Sequence, residues 1–202
     1  MTTHSHETDP PSRTHSDYYT ALYQAALTIS SSLVLDQVLQ SIVTSITEAM
    51  QVKACGLRLL DRTTGHLRSS AVYGLSGDYL AKGPVDMVKS PIDSQVLQGA
   101  TVYIADVRSD PRFQYPEAAR REGLVSILCV PLEVRGEAIG VMRVYTDEPT
   151  TFNNDDVQFL SVLASLSALA IENARLYESI KNSYNGVVDA FWGTNVNLDL
   201  SE

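Results

Sequence analysis

The sequence predicts an α+β domain: an antiparallel sheet with helices on one face and loops on the other. Three features point there. Two apolar runs, Ser126–Val134 and Ala138–Tyr145, flank Arg135-Gly136 and read as an antiparallel hairpin. A helix with almost no polar face over its first turns follows, from about Asp155 to Ser183. Upstream, two amphipathic helices lead into another hairpin, and a long irregular stretch separates the two groups of strands.

Each element has a local reason. Residues 1–16 are polar, contain proline and lack periodicity, which predicts a disordered tail. Asp17 is placed to cap a helix carrying Tyr19, Leu22, Ala26 and Ile29 on one stripe. From about Val34 to Met50, the residues Leu35, Leu39, Ile42, Ile46 and Ala49 form a single apolar face. Ala54–Asp61 and Leu67–Gly74 read as paired strands around a turn at Arg62–Gly65, with Gly65 free to take positive φ. Irregular chain then runs to Lys89. Ser90-Pro91-Ile92-Asp93 starts a short helix: Ser caps it, Pro takes the first position, and the acid completes a capping-box variant. Thr101–Ala105 is a further strand. Asp110-Pro111 marks a turn, and a helix over Pro116–Glu122 closes on Gly123. The domain is expected over residues 17–183, with residues 184–202 as a C-terminal tail.

Composition narrows the function classes. Fifteen basic residues against 24 acidic ones give a net charge of −9. That argues against nucleic acid and anionic lipid as partners, since both attractions need clustered Lys and Arg. No segment reads as the long uncharged apolar run of a membrane span, and the N-terminus lacks the apolar core of a signal peptide. The expected location is therefore cytoplasmic. Cys55 and Cys129 sit in apolar runs and read as buried reduced thiols. His4, His6 and His15 lie in the N-terminal tail and His66 in a turn, so no Cys/His spacing predicts a metal site.

The segments ACGLRLLD, AVYGLSGDYL, SPIDSQVLQGATVYIADVRSDPRF, YPEAARREGLVSILCVPLEVRGEAIGVMRVYT and NNDDVQFLSVLASLSALAIENARLYE occur in this order between about Asp17 and Ser183. Together they resemble a GAF domain, of the stand-alone, bacterial-type sensory kind; no kinase core, cyclase or helix-turn-helix segment follows them. The resemblance implies a central sheet of five or six antiparallel strands. The first, second and last helices would cover one face, and Leu75–Gly123 would roof a ligand pocket on the other. Relatives bind cyclic nucleotides, bilins, haem, 2-oxo acids and other small molecules, and the sequence departs from several of these groups. Phe152 is followed by Asp156 but then by Val157, and no Asn-Lys pair precedes it, which weakens the cyclic-nucleotide reading. Neither cysteine has the His neighbour of bilin attachment, His66 is poorly placed for haem, and two strand cysteines do not supply the thiol set of methionine-sulfoxide-reducing members. The cofactor, if any, stays unnamed.

Arg58 and Arg143 interrupt apolar runs in strands that the resemblance makes neighbours. With Leu57 and Leu59 toward the helices, Arg58 points into the pocket. Arg143 is open, because Val141 and Val144 cannot share a face. Two such arginines suit an anionic ligand; alternatively each pairs with a carboxylate such as Asp61 or Asp106 and fixes the roof. The helix start at Ser90 can hold an anion or simply be well capped. Tyr73, Tyr79, Tyr103 and Tyr115 either line the pocket or pack on the sheet. The ligand-binding set is thus Arg58, Tyr73, Tyr79, Ser90, Tyr103 and Arg143. Asp106 is expected to close an Asx turn, and Asp155-Asp156 to favour the start of the last helix.

That last helix carries apolar residues around nearly its whole circumference, more than one sheet can cover. A homodimer through the terminal helices is expected, with Leu22, Leu163, Ser167, Ala168 and Ile171 at the interface. The expected function is a non-enzymatic, small-ligand-sensing module in cytosolic signalling, read by a signalling-protein partner. The alternatives are a ligand-free dimerisation or adaptor module, and a free methionine sulfoxide reductase-like enzyme.

Overall fold

Strand alternation assigns the side chains of this chain to two separate cores. The computed structural model describes residues 15–31, 34–83, 85–86 and 89–193. In chain order it holds α1 (His15–Ser31), α2 (Leu35–Ala49), β1 (Ala54–Asp61), β2 (His66–Tyr73), α3 (Gly77–Leu80), β3 (Val85–Asp86), α4 (Pro91–Leu97), β4 (Val102–Ile104), α5 (Pro116–Glu122), β5 (Ile127–Val134), β6 (Glu137–Tyr145) and α6 (Asn154–Gly193). The strands form one six-stranded sheet in the order β3-β2-β1-β6-β5-β4, with antiparallel neighbours. This is the α+β arrangement the sequence predicts. The short β3 is the one strand within the stretch read as irregular.

On one face Cys55, Leu57, Leu128, Val130, Met142 and Val144 meet Leu39, Ile42 and Ile46 of α2 and Leu160, Leu163 and Ile171 of α6. The alternate residues Ala54, Ile127, Cys129, Val141 and Tyr145 face the roof, where Tyr79, Ile92, Val96, Val107, Phe113 and Leu124 close over them. A fully buried Leu or Ile contributes roughly 1.5–3 kcal/mol, so both layers are substantial. Turn chemistry pins the registers. Arg135 (φ 53°) and Gly136 (φ 81°) make the two-residue β5–β6 turn, whose twist suits the strands it joins. At Gly140 a Cβ would stand 2.2 Å from the Arg58 carbonyl oxygen and 2.9 Å from Leu132 Cδ1, so only glycine lets β6 lie this close to β1.

Two helices differ from expectation. In α1 the inward face is Tyr18, Ala21 and Ala25, with Leu22 and Ile29 beside it, while Tyr19 and Ala26 point outward. The helix begins before Asp17, which lies in its first turn instead of capping it. The Tyr18 ring explains the rotation: it stacks on Phe159 at 4.1 Å, and its hydroxyl donates to Asp156. At the other end, α6 continues to Gly193, ten residues past the expected stop at Ser183. One internal glycine, Gly186, costs only about 1 kcal/mol, which does not end so long a helix. The start of α6 is a reciprocal capping box, with Asn153 N–H donating to Asp156 Oδ2 and Asp156 N–H to Asn153 Oδ1, each at 2.9 Å. The expected tail thus reduces to residues beyond 193, and these, like residues 1–14, lie outside the described residues.

The expectation that no segment resembles a membrane span also needs correcting. Asn154–Gly186 of α6 is long and apolar enough to cross a bilayer by length and composition. Its apolarity has a local use, because its inward face is core for α1, α2 and the sheet.

Candidate functional site

Register settles which way the two strand arginines point. Arg143 lies opposite Gly56 of β1 and Cys129 of β5, between Val141 and Tyr145 of the roof-side core. Arg58 lies opposite Val141. Both guanidinium groups therefore enter the layer between sheet and roof, and they are only 6% (Arg58) and 4% (Arg143) exposed.

Their partners differ. Arg143 Nη2 forms an ion pair with Oδ1 of the fully buried Asp93. Ser90 Oγ donates to the other oxygen of that carboxylate and accepts from the Asp93 N–H at 3.4 Å. The capping acid of α4 is thus also the anchor that ties α4 to the middle of the sheet. Asp93 and other neighbouring groups hold the Arg143 guanidinium firmly in its charged form, against the desolvation of burial. Its Nε is buried without a hydrogen-bond partner. The Arg58 guanidinium has no hydrogen bond or ion pair among the described residues. The carboxylates expected for this role are engaged elsewhere. Asp61 accepts from the Thr63 and Thr64 N–H groups and pairs with Arg68. Asp106 closes the expected Asx turn and holds Arg108 in a bidentate pair at 2.8 Å, which keeps its carboxyl down at about 2.

A third cation completes the cluster. Lys82 Nζ stands 3.4 Å above the centre of the Tyr79 ring, 5.8 Å from that of Tyr115, and donates to the Tyr79 carbonyl at 3.0 Å. Burial, followed by the fields of Arg58 and Arg143, pushes its pKa down to about 7, with Glu122 acting the other way. Glu122 in turn accepts from Ser76 N–H at 2.7 Å and from Ser76 Oγ, linking α5 to the cap of α3. Tyr79 is buried edge-on against Tyr145 at 6.2 Å, and burial raises its hydroxyl pKa.

The structure therefore gathers Arg58, Tyr79, Ser90 and Arg143 in one layer but leaves two predicted residues outside it. Tyr73 is exposed at the end of β2, on the face of Ala71 of the helix-side core. Tyr103 alternates with the inward Val102 and Ile104, is exposed, and donates to the Thr150 carbonyl at 2.9 Å. Lys82, Asp93 and Glu122 were missed, and only a capping signal at Asp93 hinted at any of them. A surface cleft of about 750 Å³ lies apart from this cluster, lined by Leu60, Arg62, Leu97, Glu133 and Glu137.

The thiols lie on opposite faces of the sheet, Cys55 in the helix-side core and Cys129 in the roof-side core. Burial raises both pKa values, that of Cys129 to about 11 despite Arg143 beside it. Among the described residues no His, Cys, Asp or Glu group has the grouping of a metal site.

The interface expected on α6 is corrected. Leu163, Ser167, Ala168 and Ile171 have no exposure within one chain, because they fill the contact with the sheet, α1 and α2. Leu22 is partly buried against the same core. The exposed apolar residues are instead Val162, Leu169, Leu176, Tyr177, Ile180 and Tyr184 on α6, and Tyr19, Tyr23 and Leu27 on α1.

A six-stranded antiparallel sheet with terminal helices behind it and a roofed layer in front defines the class of the domain as a two-layered α+β scaffold. A family model described as "GAF domain" matches residues 32–172, well over half of the chain. This chain belongs to the GAF domain family, a family of sensory modules of signal transduction. It is 25% identical over 181 residues to the methyl sulfide methyltransferase-associated sensor of Methanosarcina acetivorans, a match covering 86% of this chain and 18% of that protein. The chain thus spans less than a fifth of that relative's length. Among solved structures it resembles the GAF domain of a phosphoenolpyruvate-protein phosphotransferase from Coxiella burnetii, with a TM-score of 0.72 and 22% identity, covering 81% of this chain and 98% of that one. It also resembles the free methionine-R-sulfoxide reductase of Neisseria meningitidis in complex with its substrate, with a TM-score of 0.69 and 21% identity, covering 82% and 96%. At these identities the structural likenesses show the fold alone.

Proposed function

We propose that this chain is a non-enzymatic sensor that takes a small ligand between sheet and roof and acts as a homodimer in cytosolic signalling. The observation that carries the proposal is the path of α6. Its first half is core against β5, while residues 175–186 are exposed on every side. At 1.5 Å per residue the 40-residue helix is about 60 Å long, so a shift at the sheet moves a lever that extends beyond the core.

A second copy of the chain is the partner that this lever fits. Val162, Leu166, Leu169, Asn173, Leu176 and Ile180 alternate at spacings of four and three, the pattern of a coiled-coil seam. Most of these are exposed, and Leu166 is half-buried. A single polar Asn173 in a core position favours in-register pairing with its own copy, hence a parallel dimer. A signalling-protein partner would read the resulting change at the C-terminal end. Light scattering on Leu176→Glu and Ile180→Glu tests the dimer. Loss of half the mass with an unchanged fold supports it; a wild-type monomer contradicts it.

One observation favours the adaptor alternative, in which no ligand binds. Large side chains such as Phe113, Leu124 and Tyr145 already fill the roof-side layer. The reductase alternative receives no support from the thiols, which are buried on opposite faces and protonated at neutral pH.

A further inference from the structure

The layer between sheet and roof is out of electrical balance. Arg58 and Arg143 are both more than nine-tenths buried and Lys82 is partly buried, while a single fully buried carboxylate, Asp93, faces them. Asp93 is committed to Arg143 and Ser90. Glu122 acts on Lys82 from the rim of the roof, where Ser76 holds it. Arg58 is left without a partner among the described residues, and Arg143 Nε is buried and unbonded. Unlike Arg143 Nε, the Arg58 nitrogens keep some contact with solvent, and a guanidinium set this deep in a fold is normally paired. The floor beside it carries no side chain of its own. Gly56 sits opposite Arg143, and a Cβ there would have only Val72 Cγ2 at 3.8 Å and Tyr145 Cε2 at 3.9 Å within 4 Å.

We propose that this layer binds a small oxyanion, a carboxylate or a phosphate, with Arg58 as the principal contact and Arg143 and Lys82 beside it. This rests on the ligand-sensing reading and names its ligand class. The planar fork of Arg58 presents paired donors to two oxygens, and exclusion of water strengthens such charge-assisted bonds. The anion supplies the negative charge that Asp93, held by Arg143, cannot give to Arg58. It therefore draws the Lys82 end of α3 and the β1 floor together. A neutral ligand leaves the imbalance unanswered.

The test uses the full chain, dialysed free of small anions. Thermal denaturation is followed with inorganic phosphate, malonate, or glycerol as a neutral control, and affinities are measured by calorimetry. Phosphate or malonate is expected to raise the wild-type melting temperature and glycerol is not; comparing the two anions distinguishes phosphate from carboxylate chemistry. Arg58→Met keeps the apolar stem and removes the charge. It is expected to fold with an equal or higher melting temperature and to lose about tenfold or more in anion affinity. Lys82→Met, at a half-buried position, is expected to weaken binding while leaving the fold intact. Equal stabilisation of wild type and both variants, or no stabilisation by either anion, overturns the proposal. Native mass spectrometry separates its failure from that of the sensor reading. A neutral small molecule carried by the purified chain refutes the oxyanion and leaves the sensor standing, whereas a chain carrying no molecule and responding to neither anion removes both.

Discussion

At the scale of single residues, the roof is held to the sheet by a buried ion pair as well as by apolar contact. Asp93 and Arg143 form a buried pair with Ser90, so Asp93→Ala leaves a guanidinium uncompensated. Breaking such a pair from one side costs roughly 3–5 kcal/mol. Urea unfolding should show a loss of that order for Asp93→Ala, and a much smaller one for Asp110→Ala, whose pair with Arg112 is near the surface. Lys82 gives a pH signature. Tyr79, Tyr115, Arg58, Arg143 and Glu122 face it, and its pKa of about 7 lies well below the ordinary value near 10.4. Between these values the unfolded chain binds more protons than the folded one, so stability rises with pH across that window. The wild-type melting temperature, taken relative to Lys82→Met, should therefore climb from about pH 7 to pH 10; a flat difference contradicts the burial of this amine. The arginines themselves were legible in the sequence as charges breaking apolar runs. Their facing direction was half legible, through Leu57 and Leu59. Asp93 and Lys82 were not, because contact across the layer has no local signal in the chain.

At the scale of elements, local chemistry decided most boundaries. The caps at Ser90 and Gly123, the Arg135-Gly136 turn and the apolar stripe of α2 all form where the sequence places them. The failures have one cause, which is tertiary override. The rotation of α1 follows from Tyr18 reaching Phe159 and Asp156, residues far away in sequence. Helix α6 looked like an interface because its apolar residues exceed one stripe, yet the most buried of them serve α1, α2 and the sheet. Leu163→Glu should accordingly unfold the domain, with loss of cooperative melting, whereas Leu176→Glu should fold normally. Gly140→Ala should destabilise by about 1–3 kcal/mol in chemical unfolding, since its Cβ would overlap the Arg58 backbone. An unchanged midpoint there would mean that β1 and β6 are less closely apposed.

At the scale of the whole molecule, the sheet separates two kinds of interior. The helix-side core is apolar throughout its strands, while the roof-side layer carries charged groups, with the Arg58 guanidinium unpaired among the described residues. The first layer builds the domain and launches α6; the second is where the proposed oxyanion would change the energy of the roof. Both layers rest on β1, β6 and β5, so a ligand drawing on Arg58 acts on strands whose other face supports α6. On the proposed function, this shared support would make a sensor out of an otherwise ordinary α+β domain, and pairing of the exposed α6 seams would make the response that of a dimer. Native mass spectrometry of the freshly purified full chain tests this most directly, because oligomer and ligand are weighed together. A dimer carrying additional non-covalent mass of a small acidic molecule is the predicted result; bare polypeptide, monomeric and unresponsive to added phosphate or malonate, would contradict it.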